Sequence, residues 1–194
     1  MNEVEKAGAI TVIIVWLLRI FLGPELNFVL LVATTLLSVY YLWFGFFIFN
    51  KIQPPDLLRK KVREHITPFR LVASILMGLV ISYALIGVLF GFFFYTGMQF
   101  MLASSVLLLG LLAGATITWH FIRKTSTGLG LRFYLRAGVL MLFLLLLWAP
   151  PLEKRLKVLY RQNPGFIEAY LDYRANPHDQ EALEKLREER SHFR

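Results

Sequence analysis

The chain has 194 residues, 57% of them hydrophobic and 18% charged, with no cysteine, a net charge of +8 and a mean hydropathy of +0.57. That composition lies outside the range of soluble globular domains. The lack of cysteine excludes disulfides, thiolate metal sites and cysteine nucleophiles. The basic residues cluster between apolar stretches, where they set topology and meet anionic headgroups, so lipid and not nucleic acid is the expected partner.

The N-terminal stretch carries Glu3 and Glu5 ahead of Lys6 and is followed by no small-residue cleavage site, so it reads as a retained first span over residues 7–22. Gly23-Pro24-Glu25 ends it, because proline cannot continue a helix interior. Arg19 lies four residues before that turn, where its long stem is expected to snorkel to the interface; as a charge within a span it is also a functional candidate. Asn27 is placed to cap the second span, residues 28–49, whose Thr34, Thr35 and Ser38 can bond within their own helix or to a neighbour.

Between prolines, residues 56–67 form a basic amphipathic pattern. Leu58, Val62 and Ile66 share one face and Arg59, Lys60, Lys61 and Arg63 occupy the rest, which suits a helix lying in the headgroup plane. From Leu71 to Ile122 there is no Asp, Glu, Lys or Arg. A bilayer core about 30 Å thick takes roughly 20 apolar residues per helical crossing, so this stretch makes two, residues 71–94 and 100–122, parted at Tyr95-Thr96-Gly97-Met98-Gln99. Ser74, Gly78, Ser82, Gly87 and Gly91 in the first of them, and Gly110 and Gly114 in the second, have the small-residue spacing that lets helix backbones approach closely. The expectation is that these two helices form the packed centre.

Residues 123–136 make a basic loop in which Arg123 and Lys124 meet the membrane surface; its Gly-Leu-Gly lacks the βαβ context of a dinucleotide site. A fifth span, residues 133–150, ends at Trp148 and Pro150-Pro151. Residues 1–150 therefore form a transmembrane helical domain and 151–194 a polar tail. In the tail, Asn163-Pro164 and Asn176-Pro177 each mark a helix start, and Phe166, Ile167, Tyr170, Leu183 and Leu186 can face one another across a helical hairpin. One such hairpin cannot bury its own face, so it packs on the membrane domain or on a partner.

Segment 50–70 holds Lys51, Arg59, Lys60, Lys61, Arg63 and Arg70, and segment 123–136 holds Arg123, Lys124, Arg132 and Arg136, whereas the turns at 23–27 and 95–99 hold no Lys or Arg. The positive-inside rule places both basic segments and the N-terminus in the cytoplasm and, with five crossings, the tail outside. Lys154, Arg155, Lys157 and Arg161 pull the other way, the alternative being a re-entrant fifth segment. The two hairpins also resemble each other at an offset of 72 residues: Asn27-Phe28-Val29-Leu30 aligns with Gln99-Phe100-Met101-Leu102, and Leu36-Leu37 with Leu108-Leu109. Both run in the same sense, unlike the inverted repeats of secondary transporters.

The five spans so drawn contain no Asp or Glu, the residues on which proton-coupled transport usually rests. His120 near the end of the fourth span is the one histidine within them; as a haem ligand it lacks a second axial partner, and a hydrogen-bonded interfacial role is expected instead. No protease, hydrolase or metal-cluster motif occurs, and no metal or cofactor is expected.

The stretches LLRIFLGPELNFVLLVATTLLSVYYLWFGFFIFNKI, IGVLFGFFFYTGMQFMLASSVLLLG and YRQNPGFIEAYLDYRANP resemble small multi-span membrane proteins of Bacteroidota, whose hairpin is in turn similar to that of the inner-membrane motor subunit of gliding and type IX secretion. In that subunit a Trp-Pro-Gly-type turn parts two helices and a glutamate in the membrane carries the proton-motive work. This chain has Gly23-Pro24 at the turn and no such glutamate, so the motor role passes to none of its residues. The resemblance implies a bacterial inner membrane and no particular activity.

The expectation is thus an all-α integral membrane protein of five spans. Its expected role is a non-catalytic accessory or assembly subunit of a larger inner-membrane complex, packed against other subunits or further copies of itself. Two alternatives are a small channel or carrier for a neutral or anionic solute, its path lined by Arg19, Thr34, Thr35, Ser38, Ser104 and Ser105, and a redox subunit using His120.

Overall fold

The computed structural model describes the backbone of residues 2–50, 52, 55, 68–123 and 131–191, and the side chains of these except at 2, 69–70, 120–123 and 131–133. The expected interfacial helix at 56–67, with Arg59, Lys60, Lys61 and Arg63, lies outside the described residues, as do Lys124 and the side chains of His120 and Arg123.

Among the described residues the regular structure is helical throughout. The elements are α1 (Asn2–Leu22), a 3-10 turn (Pro24–Leu26), α2 (Asn27–Asn50), α3 (Pro68–Phe93), α4 (Met98–Arg123), α5 (Leu131–Trp148), α6 (Leu152–Leu159), α7 (Pro164–Ala175) and α8 (Gln180–Ser191). Three stretches are long and apolar enough to cross a membrane: Pro24–Asn50, Leu71–Phe93 and Met98–Trp119. A fourth is added if α5 and α6, broken at Pro150-Pro151, count as one bent span. The first helix is not among them, because Glu3, Glu5, Lys6 and Arg19 interrupt its apolar run. The chain forms two compact units, one of Met1–Ala9 and Thr34–Trp148, the other of Ile10–Ala33 and Ala149–Arg194.

In the first unit α3 is the most enclosed span: 56% of its apolar window is buried, against 33% for the second span and 22% for α4. Its small residues are divided between neighbours. Ser74, Gly78 and Ser82 face α2, not α4 as the sequence led us to expect. A Cβ added to Gly45 would lie 2.5 Å from the Gly78 Cα, and one on Gly78 would lie 2.7 Å from the Tyr41 carbonyl oxygen. The two backbones therefore touch where either side chain would hold them apart. Hydrogen bonds flank this crossing on both sides. Asn50 Nδ2 donates to Ser74 Oγ at 2.8 Å. Ser38 Oγ donates to the Ser82 carbonyl at 3.0 Å and lies 2.8 Å from Ser82 Oγ.

The more C-terminal glycines of α3 meet α4 and α5. Gly87 lies against Ser105 and the Met101 carbonyl, and Gly91 against Leu102 and Leu147. Left-handed Phe94 (φ 51°) and Gly97 (φ 83°) reverse the chain between α3 and α4. The following helix, α5, runs back along α4: Tyr134 OH donates to Thr116 Oγ1 at 3.4 Å, and Met141 sits over Gly110.

In the second unit the tail forms the expected hairpin. Phe166 and Ala169 of α7 and Ala182 and Leu186 of α8 are buried, as are Leu156 and Leu159 of α6 and Tyr160 at its end. The Tyr160 and Phe166 rings lie 4.3 Å apart. Burial beside this cluster raises the Tyr170 phenol above its ordinary pKa and keeps it protonated. Pro164 opens α7 as its sequence implies, but Asn176 closes α7 and does not open α8: its N–H donates to the Asp172 carbonyl at 2.9 Å. The cap of α8 is Asp179, whose Oδ1 accepts the Glu181 N–H at 2.9 Å.

The surface on which this hairpin rests is the turn of the first hairpin. Arg161 Nη2 donates to the Phe21 carbonyl at 2.6 Å, and the Gln162 side chain covers Gly23, which has φ 97°. A side chain at position 23 would be strained by its backbone and would collide with Gln162.

Of the pairs aligned at an offset of 72 residues, Asn27 is buried where Gln99 is exposed and Val29 is exposed where Met101 is half-buried, while four others agree. Phe28 and Phe100 are exposed, Leu30 and Leu102 fully buried, Leu36 and Leu108 exposed, and Leu37 and Leu109 buried.

Candidate functional site: two arginine centres

Charge is costly in an apolar interior unless it is paired or hydrogen-bonded; of the described arginines Arg19 and Arg155 are buried and Arg136 is partly exposed, and the surroundings of Arg136 and Arg19 differ. The first centre lies in the first unit. Glu5, one turn into α1, is 2% exposed. Tyr41 of α2 donates its hydroxyl to Glu5 Oε1 at 2.7 Å, and Arg136 Nη2 of α5 donates to Glu5 Oε2 at 2.5 Å. The Arg136 guanidinium also stands over the Phe49 ring, 5.8 Å from its centroid, with 24% of its side chain exposed. Both carboxylate oxygens are thus satisfied, and three helices are tied at one point. Reading the sequence assigned Glu5 only to the flank of the first span. The helix begins at Asn2, so Glu5 falls inside it, and its partners lie 36 and 131 residues away.

The second centre lies in the second unit. Arg19 does not snorkel: it is 0% exposed. Its Nε donates to Asn27 Oδ1 at 2.7 Å and its Nη1 to the Leu159 carbonyl at 2.8 Å, while the Tyr160 ring lies under the guanidinium at 4.8 Å. Asn27 is therefore no helix cap. It is itself helical (φ −55°, ψ −44°), and its side-chain oxygen serves Arg19. Among the described residues Arg19 Nη2 has no hydrogen-bond partner, although the guanidinium also interacts with the Tyr160 side chain. Among the described residues no carboxylate pairs with Arg19, whereas Arg136 has Glu5.

The residues offered as a polar path are not gathered into one row. Ser38 bonds to Ser82, Ser104 lies 2.8 Å from the Tyr83 hydroxyl, and Ser105 returns its hydroxyl to the Met101 carbonyl at 2.6 Å while lying against Gly87. Ser38 and Ser104 are thus joined to different residues of α3, and Arg19 belongs to the other unit. Thr34 is buried and Thr35 half-buried on α2. Of the helix-packing glycines, Gly78, Gly87 and Gly91 are in close contact with neighbouring helices, whereas Gly110 and Gly114 are exposed on α4. The Gly45 side of the closest crossing was not singled out, because one glycine in an aromatic run carries no spacing signal of its own. Among the described residues no three His, Asp or Glu side chains lie close enough together to hold a metal ion.

No protein-family model, curated protein or solved structure matches the chain.

Proposed function

We propose that the chain is a non-catalytic assembly subunit of a larger bacterial inner-membrane complex, crossing the membrane five times. The observation that carries this reading is the outward face of α4. Gly110 and Gly114 are exposed there, and a Cβ on Gly114 would meet none of the described residues within 4 Å. A glycine inside a helix costs about 1 kcal/mol relative to alanine unless a close approach offsets it. Gly45 and Gly78 find that approach within the chain, Gly110 has Met141 of α5 beside it, and Gly114 is open to find it in another subunit. Leu107 and Leu111 flank them, both 61% exposed.

Engagement of Ser38, Ser82, Tyr83 and Ser104 in bonds between helices supports a packing role for these hydroxyls over a solute path. Two further observations favour five crossings. Of the charges that interrupt α1, Glu5 and Arg19 are buried and bonded, about 21 Å apart along the helix, whereas Glu3 and Lys6 pair with each other at its exposed start. And α5 runs from the level of Thr116 to that of Leu102 on α4, an interval of about 20 Å. The tail is held to the turn at 21–23, which lacks Lys and Arg, so it shares that turn's side, the periplasm by the positive-inside rule.

The test is mild extraction of the tagged chain followed by native mass spectrometry. Stoichiometric recovery with other membrane subunits, or as a defined oligomer, is the expected result, and a lone monomer under the mildest extraction overturns the reading.

A further inference from the structure

Lys154, Arg155, Lys157 and Arg161 follow the fifth apolar segment, and the second unit uses them unequally. Arg155 is buried on the inner face of α6 with Leu156 and Leu159, and Arg161 donates to the Phe21 carbonyl. Lys154 and Lys157 lie on the opposite face, where they form one exposed helical stripe with Val158, itself 55% exposed. Arg161, also exposed, follows in the next turn. Glu153 bonds Lys157 at 2.7 Å, while among the described residues Lys154 has no acidic partner.

The depth of this face is set by its attachments. Arg19 reaches the Leu159 carbonyl, Arg161 reaches the Phe21 carbonyl and Gln162 covers Gly23, so the end of α6 lies level with the end of α1 and the turn into α2. With α1 and α2 as a spanning pair, that level is the headgroup layer, and Phe21, Leu22 and Phe28 flank the turn as exposed apolar surface. Lysines on long apolar stems around an exposed valine suit acidic headgroups above acyl chains. They suit a protein partner less, since lysine is depleted from interface cores and a helix of 8 residues offers little area. We propose that the outward face of α6 binds anionic phospholipid through Lys154, Lys157 and Arg161 and holds the start of the tail at the membrane surface. The proposal rests on the first hairpin crossing the membrane and not on the presence of other subunits.

The test uses the full chain with Val158→Cys carrying an environment-sensitive fluorophore, reconstituted in phosphatidylcholine vesicles. These contain equal fractions of either spin-labelled phosphatidylglycerol or spin-labelled phosphatidylcholine. Quenching about fivefold stronger by the anionic lipid is expected. Lys154→Gln/Lys157→Gln abolishes that preference, and Lys185→Gln/Arg187→Gln, which removes the same charge from the exposed side of α8, leaves it intact. Equal quenching by the two lipids overturns the proposal, and so does a preference that survives the α6 variant or is lost in the α8 variant. The same fluorophore at Glu25→Cys reports the turn itself. Quenching there by both lipids, with no preference at position 158, overturns the proposal alone; no quenching at either position overturns the spanning hairpin with it.

Discussion

Glu5 and Arg136 stand 131 residues apart in the chain and close an ion pair at 2.5 Å, with the carboxylate 2% exposed and its other oxygen held by Tyr41. The pair fixes the beginning of α1 to the beginning of α5 and to the middle of α2. Breaking a buried pair from one side strands the other charge, which is more damaging than removing both.

Arg136→Leu is therefore expected to destabilise by about 2–4 kcal/mol, discounted because the arginine is partly exposed, and Glu5→Leu by a similar amount. The double variant Glu5→Leu/Arg136→Leu recovers most of that loss. Thermal unfolding of the detergent-solubilised variants, followed by size-exclusion fluorescence, measures the cycle. Strictly additive losses would show that the two side chains do not act as a pair.

The glycines separate into two classes by what lies opposite them. Gly78→Ala places a methyl group against the Tyr41 carbonyl and is expected to cost about 1–3 kcal/mol by forcing α2 and α3 apart. Gly114→Ala meets none of the described residues and leaves the unfolding temperature unchanged or slightly raised. Parallel melts of the two variants decide, and equal destabilisation would contradict the assignment of contacts.

At the tail, Gly23→Ala introduces both a strained backbone and a clash with Gln162. It is expected to destabilise by about 1–3 kcal/mol, and Gln162→Ala in the same chain relieves the clash but not the strain. Partial recovery in the melt of the double variant is the predicted outcome. Full recovery would show that the positive φ is without cost, and no recovery that Gln162 does not cover the turn.

Because the chain has no cysteine, single cysteines report topology without background. With five crossings, Glu25→Cys, Thr96→Cys and Arg174→Cys react with an impermeant maleimide from the periplasmic side, and Lys124→Cys does not. Labelling of Glu25→Cys without Arg174→Cys would place the tail on the other side and make the fifth segment re-entrant.

Much of the helical order was legible because hydropathy and helix breakers are local. The apolar run from Leu71 to Ile122, its break near Gly97 and the stop at Pro150-Pro151 all coincide with helix limits. Facing was less legible. Ser74, Gly78 and Ser82 announce a close approach, but their spacing names no partner, and the partner is α2. The charged centres were least legible of all. Arg19 resembles a snorkelling residue when judged by its distance from the turn, and only the return of the chain 140 residues later brings the Leu159 carbonyl to it. Glu5 falls outside a first span drawn at 7–22 for the same reason: its cation lies on α5. Asp179 was overlooked as a cap because Asn176-Pro177 offers the stronger local signal for a helix start.

The exposed glycine face of α4 is the point at which the assembly reading meets experiment most directly. A benzoylphenylalanine photocrosslinker at Gly114, with a second at the likewise exposed Leu146 as comparison, would be irradiated in intact cells. The account predicts a discrete covalent adduct from position 114 to another membrane subunit or a second copy of this chain, and none of that kind from position 146. Lipid adducts alone from both positions would contradict it.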